Sequence, residues 1–121
     1  IVICSWRIPH SSFRDIRIGL SLGGGGTSNA FCKNGKCDFE HKNGTISNNT
    51  ISNCGHDVGI YLNKSNNTEI YNNVLKNTLG IDVRFPESSA DIYNNYIDGR
   101  IKSRNGGIIS TNKNYKIIEN Y

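Results

Sequence analysis

Helical periodicity is missing from this chain: no stretch repeats apolar residues at the three- and four-residue spacing that a helix needs. Long apolar runs are missing too. None reaches the length of a membrane-spanning helix, and Ile1-Val2-Ile3 is too short for the apolar core of a secretion signal, so no membrane partner is expected. The chain has no methionine. Lys and Arg outnumber Asp and Glu by 14 to 10, giving a net charge of +4 and a pI near 9.0. No aromatic–basic platform or nucleic-acid motif accompanies that charge, so nucleic acid is not an expected partner. Four successive glycines, Gly23–Gly26, are followed by no Lys-Ser/Thr pair and no helix start; they read as a flexible loop base rather than a phosphate cradle.

What is present is a repeat. Ile46-Ser47-Asn48-Asn49-Thr50-Ile51, Ile70-Tyr71-Asn72-Asn73-Val74-Leu75 and Ile92-Tyr93-Asn94-Asn95-Tyr96-Ile97 carry one phrase at offsets of 24 and 22 residues. A fixed period in the twenties, built of short β-type runs and turn residues, is the signature of a solenoid. Ile8-Pro9-His10-Ser11-Ser12-Phe13 has the same form, and Ile118-Glu119-Asn120-Tyr121 resembles the opening of another coil.

A second run follows each Asn pair: Gly19–Gly23, Gly59–Asn63, Gly80–Arg84 and Arg100–Arg104. These alternate with period two, as half-buried strands do. Stacking predicts one inward ladder of Leu20, Ile60, Ile81 and Ile101, and another of Leu22, Leu62, Val83 and Ser103. Each buried Ile or Leu contributes roughly 1.5–3 kcal/mol, so neighbouring coils must cooperate. Asn occurs at 18 positions. One Asn of each pair is expected to turn inward at a corner and hydrogen-bond along the solenoid axis, satisfying backbone groups that a bend would strand.

The Ile-x-Asn-Asn-x-Ile unit followed by Gly-Ile-x-Val resembles the right-handed parallel β-helix superfamily, the pectate-lyase-like fold, and in particular its NosD-like repeat members. The resemblance covers roughly residues 8–121, interrupted at 23–43. It implies an all-β, right-handed parallel β-helix of about four coils over residues 1–121, with one inserted loop or hairpin at 23–43. A leucine-rich repeat, the competing solenoid, would need a Leu-x-x-Leu-x-Leu frame that is absent. The superfamily includes polysaccharide lyases, hydrolases, epimerases, tail-spikes and adhesins. It therefore implies a carbohydrate-associated scaffold that is an enzyme fragment, a glycan binder or a purely structural module. No residue matches a known catalytic or Ca²⁺ motif of the lyases, so no active site or cofactor is carried over; Ca²⁺ has no motif to support it.

Cys32-Lys33-Asn34-Gly35-Lys36-Cys37 is the sharpest local motif. Asn-Gly favours a two-residue hairpin turn, which sets Lys33 opposite Lys36 and Cys32 opposite Cys37, a geometry that suits a disulfide. A reduced pair or a metal site is the alternative, though the spacing lacks the second pair zinc requires, even with His41 nearby. Cys4 and Cys54 sit where small apolar residues pack, so free buried thiols are expected there. A disulfide would place the chain in an oxidising compartment: secreted, cell-surface or periplasmic.

The outward column of the second run holds Ser21, Tyr61, Asp82 and Lys102, and the next holds Gly23, Asn63, Arg84 and Arg104. Tyr61, Asp82, Arg84, Lys102 and Arg104, overhung by the 23–43 insertion, form the expected ligand-facing surface for an acidic polysaccharide. A salt-bridge ladder accounts for the same residues. Both arginines point outward, so their replacement is expected to spare the fold. His41 and the His56-Asp57 dipeptide are weaker acid/base candidates, the dipeptide reading first as a polar turn. Tyr71 and Tyr93 should stack between coils. The chain starts in apparent mid-strand and stops inside a coil, which reads as a segment of a longer protein or a truncated product, or else as a processed chain whose oligomer covers its ends. Self-association through uncapped coils is expected.

Overall fold

The computed structural model describes residues 2–3, 19–23, 32–33, 36–37, 41–54 and 57–119. In chain order, β1 (Val2–Ile3) and β2 (Leu20–Leu22) precede a hairpin of β3 (Cys32–Lys33) and β4 (Lys36–Cys37), and then β5 (His41–Lys42). One full coil is β6 (Thr45–Ser47), β7 (Thr50–Ser52) and β8 (Ile60–Asn63). After the short β9 (Ser65–Asn66), the next is β10 (Thr68–Tyr71), β11 (Val74–Lys76) and β12 (Gly80–Arg84). The third is β13 (Ser89–Tyr93), β14 (Tyr96–Asp98) and β15 (Arg100–Arg104), followed by β16 (Ile108–Lys113) and β17 (Lys116–Ile118).

Stacked coils make three parallel sheets, ordered β6-β10-β13-β16, β1-β7-β11-β14-β17 and β2-β8-β12-β15. The fold is a parallel β-solenoid of about four coils, without helix among the described residues. In the first sheet Ile46, Ile70 and Ile92 are in register. In the third, Leu20, Ile60, Ile81 and Ile101 align, as do Leu22, Leu62, Val83 and Ser103. Ile51, Leu75 and Ile97 supply the second sheet's buried column. Each coil therefore places a few aliphatic side chains in a narrow axial core, which only its neighbours can close off from water.

The corners explain the asparagines. Asn48, Asn72 and Asn94 have φ of 59°, 56° and 56°, the left-handed region that Asn tolerates better than other side-chain-bearing residues. The second Asn of each pair then faces inward. The Asn49 side-chain amide donates to Asn73 Oδ1 at 3.1 Å, Asn73 to Asn95 Oδ1 at 3.0 Å, and Asn95 to Asn114 Oδ1 at 2.9 Å. Asn73 and Asn95 also donate to the Ile46 and Ile70 carbonyls, at 3.0 and 2.9 Å. The ladder thus satisfies main-chain groups that bending the strand would strand.

Two expectations change. The last coil's copy of the repeat is not Ile118-Glu119-Asn120-Tyr121, because Ile118 lies in β17 opposite Asp98, with Ile117 opposite Ile97. The copy is instead Asn112-Lys113-Asn114, with Asn112 opposite Ile92 and Asn114 closing the amide ladder. A register shift between Ala90 and Asp91 on the pair β13–β16 leaves Ser110 as the extra residue. Asn112 follows Ile92 by 20 residues, fewer than the 24 and 22 that separate the other copies, and this shorter coil hides the copy from its spacing. Secondly, Cys54 is not a free thiol but is disulfide-bonded. Ile8–Phe13, Gly24–Gly26 and His56 lie outside the described residues, as does Cys4.

Candidate functional site

The third sheet gathers the polar candidates. Parallel register sets Tyr61 opposite Asp82, Asp82 opposite Lys102, Asn63 opposite Arg84, and Arg84 opposite Arg104. Alternation sends all six outward, since Ile60, Leu62, Ile81 and Val83 between them are fully buried. The sheet delivers them as two columns at inter-strand spacing, about 4.8 Å.

Their partners are diagonal rather than lateral. Asp82 pairs with Arg104, Nη2 to Oδ2 at 2.8 Å, two residues further along the neighbouring strand. Arg84 donates from Nη1 to Tyr61 Oη at 3.1 Å and from Nε to Asn105 Oδ1 at 2.8 Å. The Asn63 amide reaches the same Tyr61 oxygen at 3.4 Å. Four of the five expected residues, Tyr61, Asp82, Arg84 and Arg104, thus fall into two adjoining clusters of short polar contacts, with Lys102 exposed opposite Asp82.

Asp82 is not the accessible acid that its column suggested. It is only 5% exposed, whereas the Arg104 side chain is 47% exposed. Removing Arg104 would strand a buried carboxylate, a change that destabilises rather than spares the fold. The expectation that Arg84 and Arg104 can both be truncated harmlessly is corrected on this ground.

The corner beyond this sheet holds residues that the repeat pattern gave no reason to select. Lys64, Phe85 and Asn105 share left-handed backbone, with φ of 54°, 75° and 52°. Phe85 is an unusual occupant of that region. Its ring receives the Arg84 guanidinium at 4.5 Å and the Lys64 ammonium at 5.2 Å, and Lys64 is wholly buried. Such contacts hold cations by the negative face of the ring. A Phe-Pro pair interrupting the strand-to-strand connection at 85–86 was the one signal available.

The weaker candidates lie elsewhere. His41 is exposed in β5, which pairs with β9 beyond the end of β8. Asp57 precedes β8, and its Oδ1 accepts the Val58 N–H at 2.8 Å, as a polar turn residue does. Cys32 and Cys37 are register partners in the antiparallel pair β3–β4, with Lys33 opposite Lys36. Whether the 23–43 insertion overhangs the sheet falls outside the described residues. On the first sheet Tyr71 and Tyr93 stack at 5.2 Å and 7°, with Tyr93 Oη donating to Glu69 at 3.2 Å.

The model of one family, NosD, described as a periplasmic copper-binding protein, matches residues 8–121. The chain belongs to the NosD family. No curated protein and no solved structure matches it. Copper in a NosD-family chain calls for imidazole, thiolate or thioether ligands. Among the described residues no three His, Cys, Asp or Glu side chains are grouped to hold a metal ion. The chain has no methionine, and Cys54 is in a disulfide. The described residues do not fit the metal.

Proposed function

We propose that the outer face of β8, β12 and β15 binds an acidic polysaccharide, with Arg84, Arg104 and Lys102 meeting its anionic groups and Tyr61 positioning Arg84. One observation carries this reading: two arginines stand side by side on a rigid sheet, each braced by an intramolecular partner. Bracing lowers the side-chain entropy lost on binding, and the planar guanidinium suits carboxylate and sulfate. A parallel sheet keeps successive cations at a fixed spacing, which suits an extended polymer better than a small anion. The Asp82–Arg104 pair favours a second reading, a salt-bridged face that only stabilises the solenoid.

The family's description and the Cys54 disulfide support a periplasmic or extracellular setting, since such bonds persist in oxidising compartments. In that setting Cys32 and Cys37, already register partners, bond to each other. Peptide mapping without reductant that recovers both as free thiols would remove this part.

Titration calorimetry with polygalacturonate and a sulfated glycan tests the binding reading. Arg84→Gln and the double variant Asp82→Asn/Arg104→Gln should each weaken binding about tenfold, the worth of one charge-assisted hydrogen bond. The double variant avoids stranding the carboxylate. Affinity should also fall as salt rises. Unchanged affinity in both variants, or no binding by the parent chain, leaves the salt-bridged face as the better account.

A further inference from the structure

The ion pair uses only half of the Asp82 carboxylate. Oδ2 meets Arg104, while Oδ1 is buried and has no hydrogen-bond partner. Asn63, on the neighbouring strand and 7% exposed, repeats the pattern: its amide nitrogen reaches Tyr61, and its Oδ1 is buried without a partner. Turning that carboxamide over would let Tyr61 Oη donate to Oδ1 and would leave the nitrogen unpartnered instead. Either way, one polar end of Asn63 is unused. Buried polar groups are almost always hydrogen-bonded. Two unpartnered ones on adjacent strands of a single outward face point to a ligand.

The surroundings select its chemistry. A hard cation would find two oxygens and two nearby guanidinium groups that repel it. An anion would meet a carboxylate. A pair of neutral hydroxyls fits: one donates to Asp82 Oδ1, and the other donates to Asn63 Oδ1 or, with the carboxamide turned over, accepts from its nitrogen. Arg84 and Arg104, the next residues along the face, remain available to an acidic group of the same ligand. We infer that Asp82 and Asn63 form a hydroxyl-binding subsite, so that this face recognises a hydroxylated polyanion, a uronate-type sugar polymer, and not negative charge alone. This rests on the acidic-polysaccharide reading and adds a specificity determinant to it.

Polygalacturonate and polyacrylate separate the two levels, because both are carboxylate polymers and only the first carries hydroxyls. The parent chain should bind polygalacturonate at least about tenfold more tightly at equal carboxylate concentration and ionic strength. Asn63→Leu removes the polar group without altering charge, and should lower polygalacturonate affinity towards that of polyacrylate while leaving polyacrylate binding unchanged. Asp82→Asn should reduce the ratio of the two affinities even as the added net positive charge strengthens both. Equal binding of the two polymers by the parent chain overturns the subsite and leaves an anion-binding face. Binding of neither overturns the acidic-polysaccharide reading as well. The parent comparison needs no variant, so poor folding of Asn63→Leu would not protect the proposal. Retention of the full preference by a folded Asn63→Leu chain would also overturn it.

Discussion

Asn72 and Asn73 are neighbours of one residue type, yet they should respond differently to alanine. The Asn73 carboxamide accepts the Asn49 N–H at 3.0 Å and its side-chain amide at 3.1 Å, and donates to the Ile46 carbonyl and Asn95 Oδ1 at 3.0 Å each. Truncation leaves at least two main-chain groups, Asn49 N–H and Ile46 C=O, short of a partner. At about 1–3 kcal/mol for each stranded group, Asn73→Ala should cost about 2–6 kcal/mol, a large share of the 5–15 kcal/mol that stabilises an ordinary domain. Asn72 is exposed and serves through its φ of 56° alone. There alanine should cost about 1 kcal/mol, the strain of a left-handed backbone, and Asn72→Gly should be close to neutral. Urea denaturation, with midpoints compared at equal slope, separates the three variants. Equal losses at Asn72 and Asn73 on alanine substitution would refute the amide-ladder account. So would an Asn72→Gly chain as unstable as Asn73→Ala.

Tyr93 gives a pH prediction: partial desolvation of this half-buried side chain, then its hydrogen bond to Glu69 and the charge of that carboxylate, hold its phenol above the ordinary tyrosine value. The contribution to stability is therefore complete below about pH 10 and is lost as pH rises through the raised folded value. Tyrosinate absorbance should show Tyr93 ionising above the usual range, with Tyr93→Phe deleting that step and Glu69→Gln moving it down; an unmoved step in Glu69→Gln would reject the contact. Ile108, Tyr115 and Ile117 are 50%, 72% and 39% exposed on the last described coil, and sedimentation should show concentration-dependent association that Tyr115→Lys and Ile117→Lys reduce. A monodisperse monomer at high concentration would rule this out.

The solenoid was legible because its determinants are local and periodic. An Asn pair between two β-type runs fixes a corner, and alternation within a run fixes which side chains face the core, so three sequence copies at Ile46, Ile70 and Ile92 were enough to set the register. The copy at Asn112–Asn114 was not legible, since its coil is shorter, with Asn112 only 20 residues after Ile92, and polar Asn112 takes the position of an isoleucine. The surface columns of Tyr61, Asp82 and Lys102, and of Asn63, Arg84 and Arg104, followed from the same alternation. Their chemistry did not. Register says which residues are opposite, but the length and reach of each side chain choose the diagonal Arg104 for Asp82 and give Arg84 to Tyr61. Burial of Asp82 and Lys64, the Phe85 ring beneath two cations, and the disulfide at Cys54 all depend on residues distant in sequence. No period encodes such contacts; only the packed coils decided them.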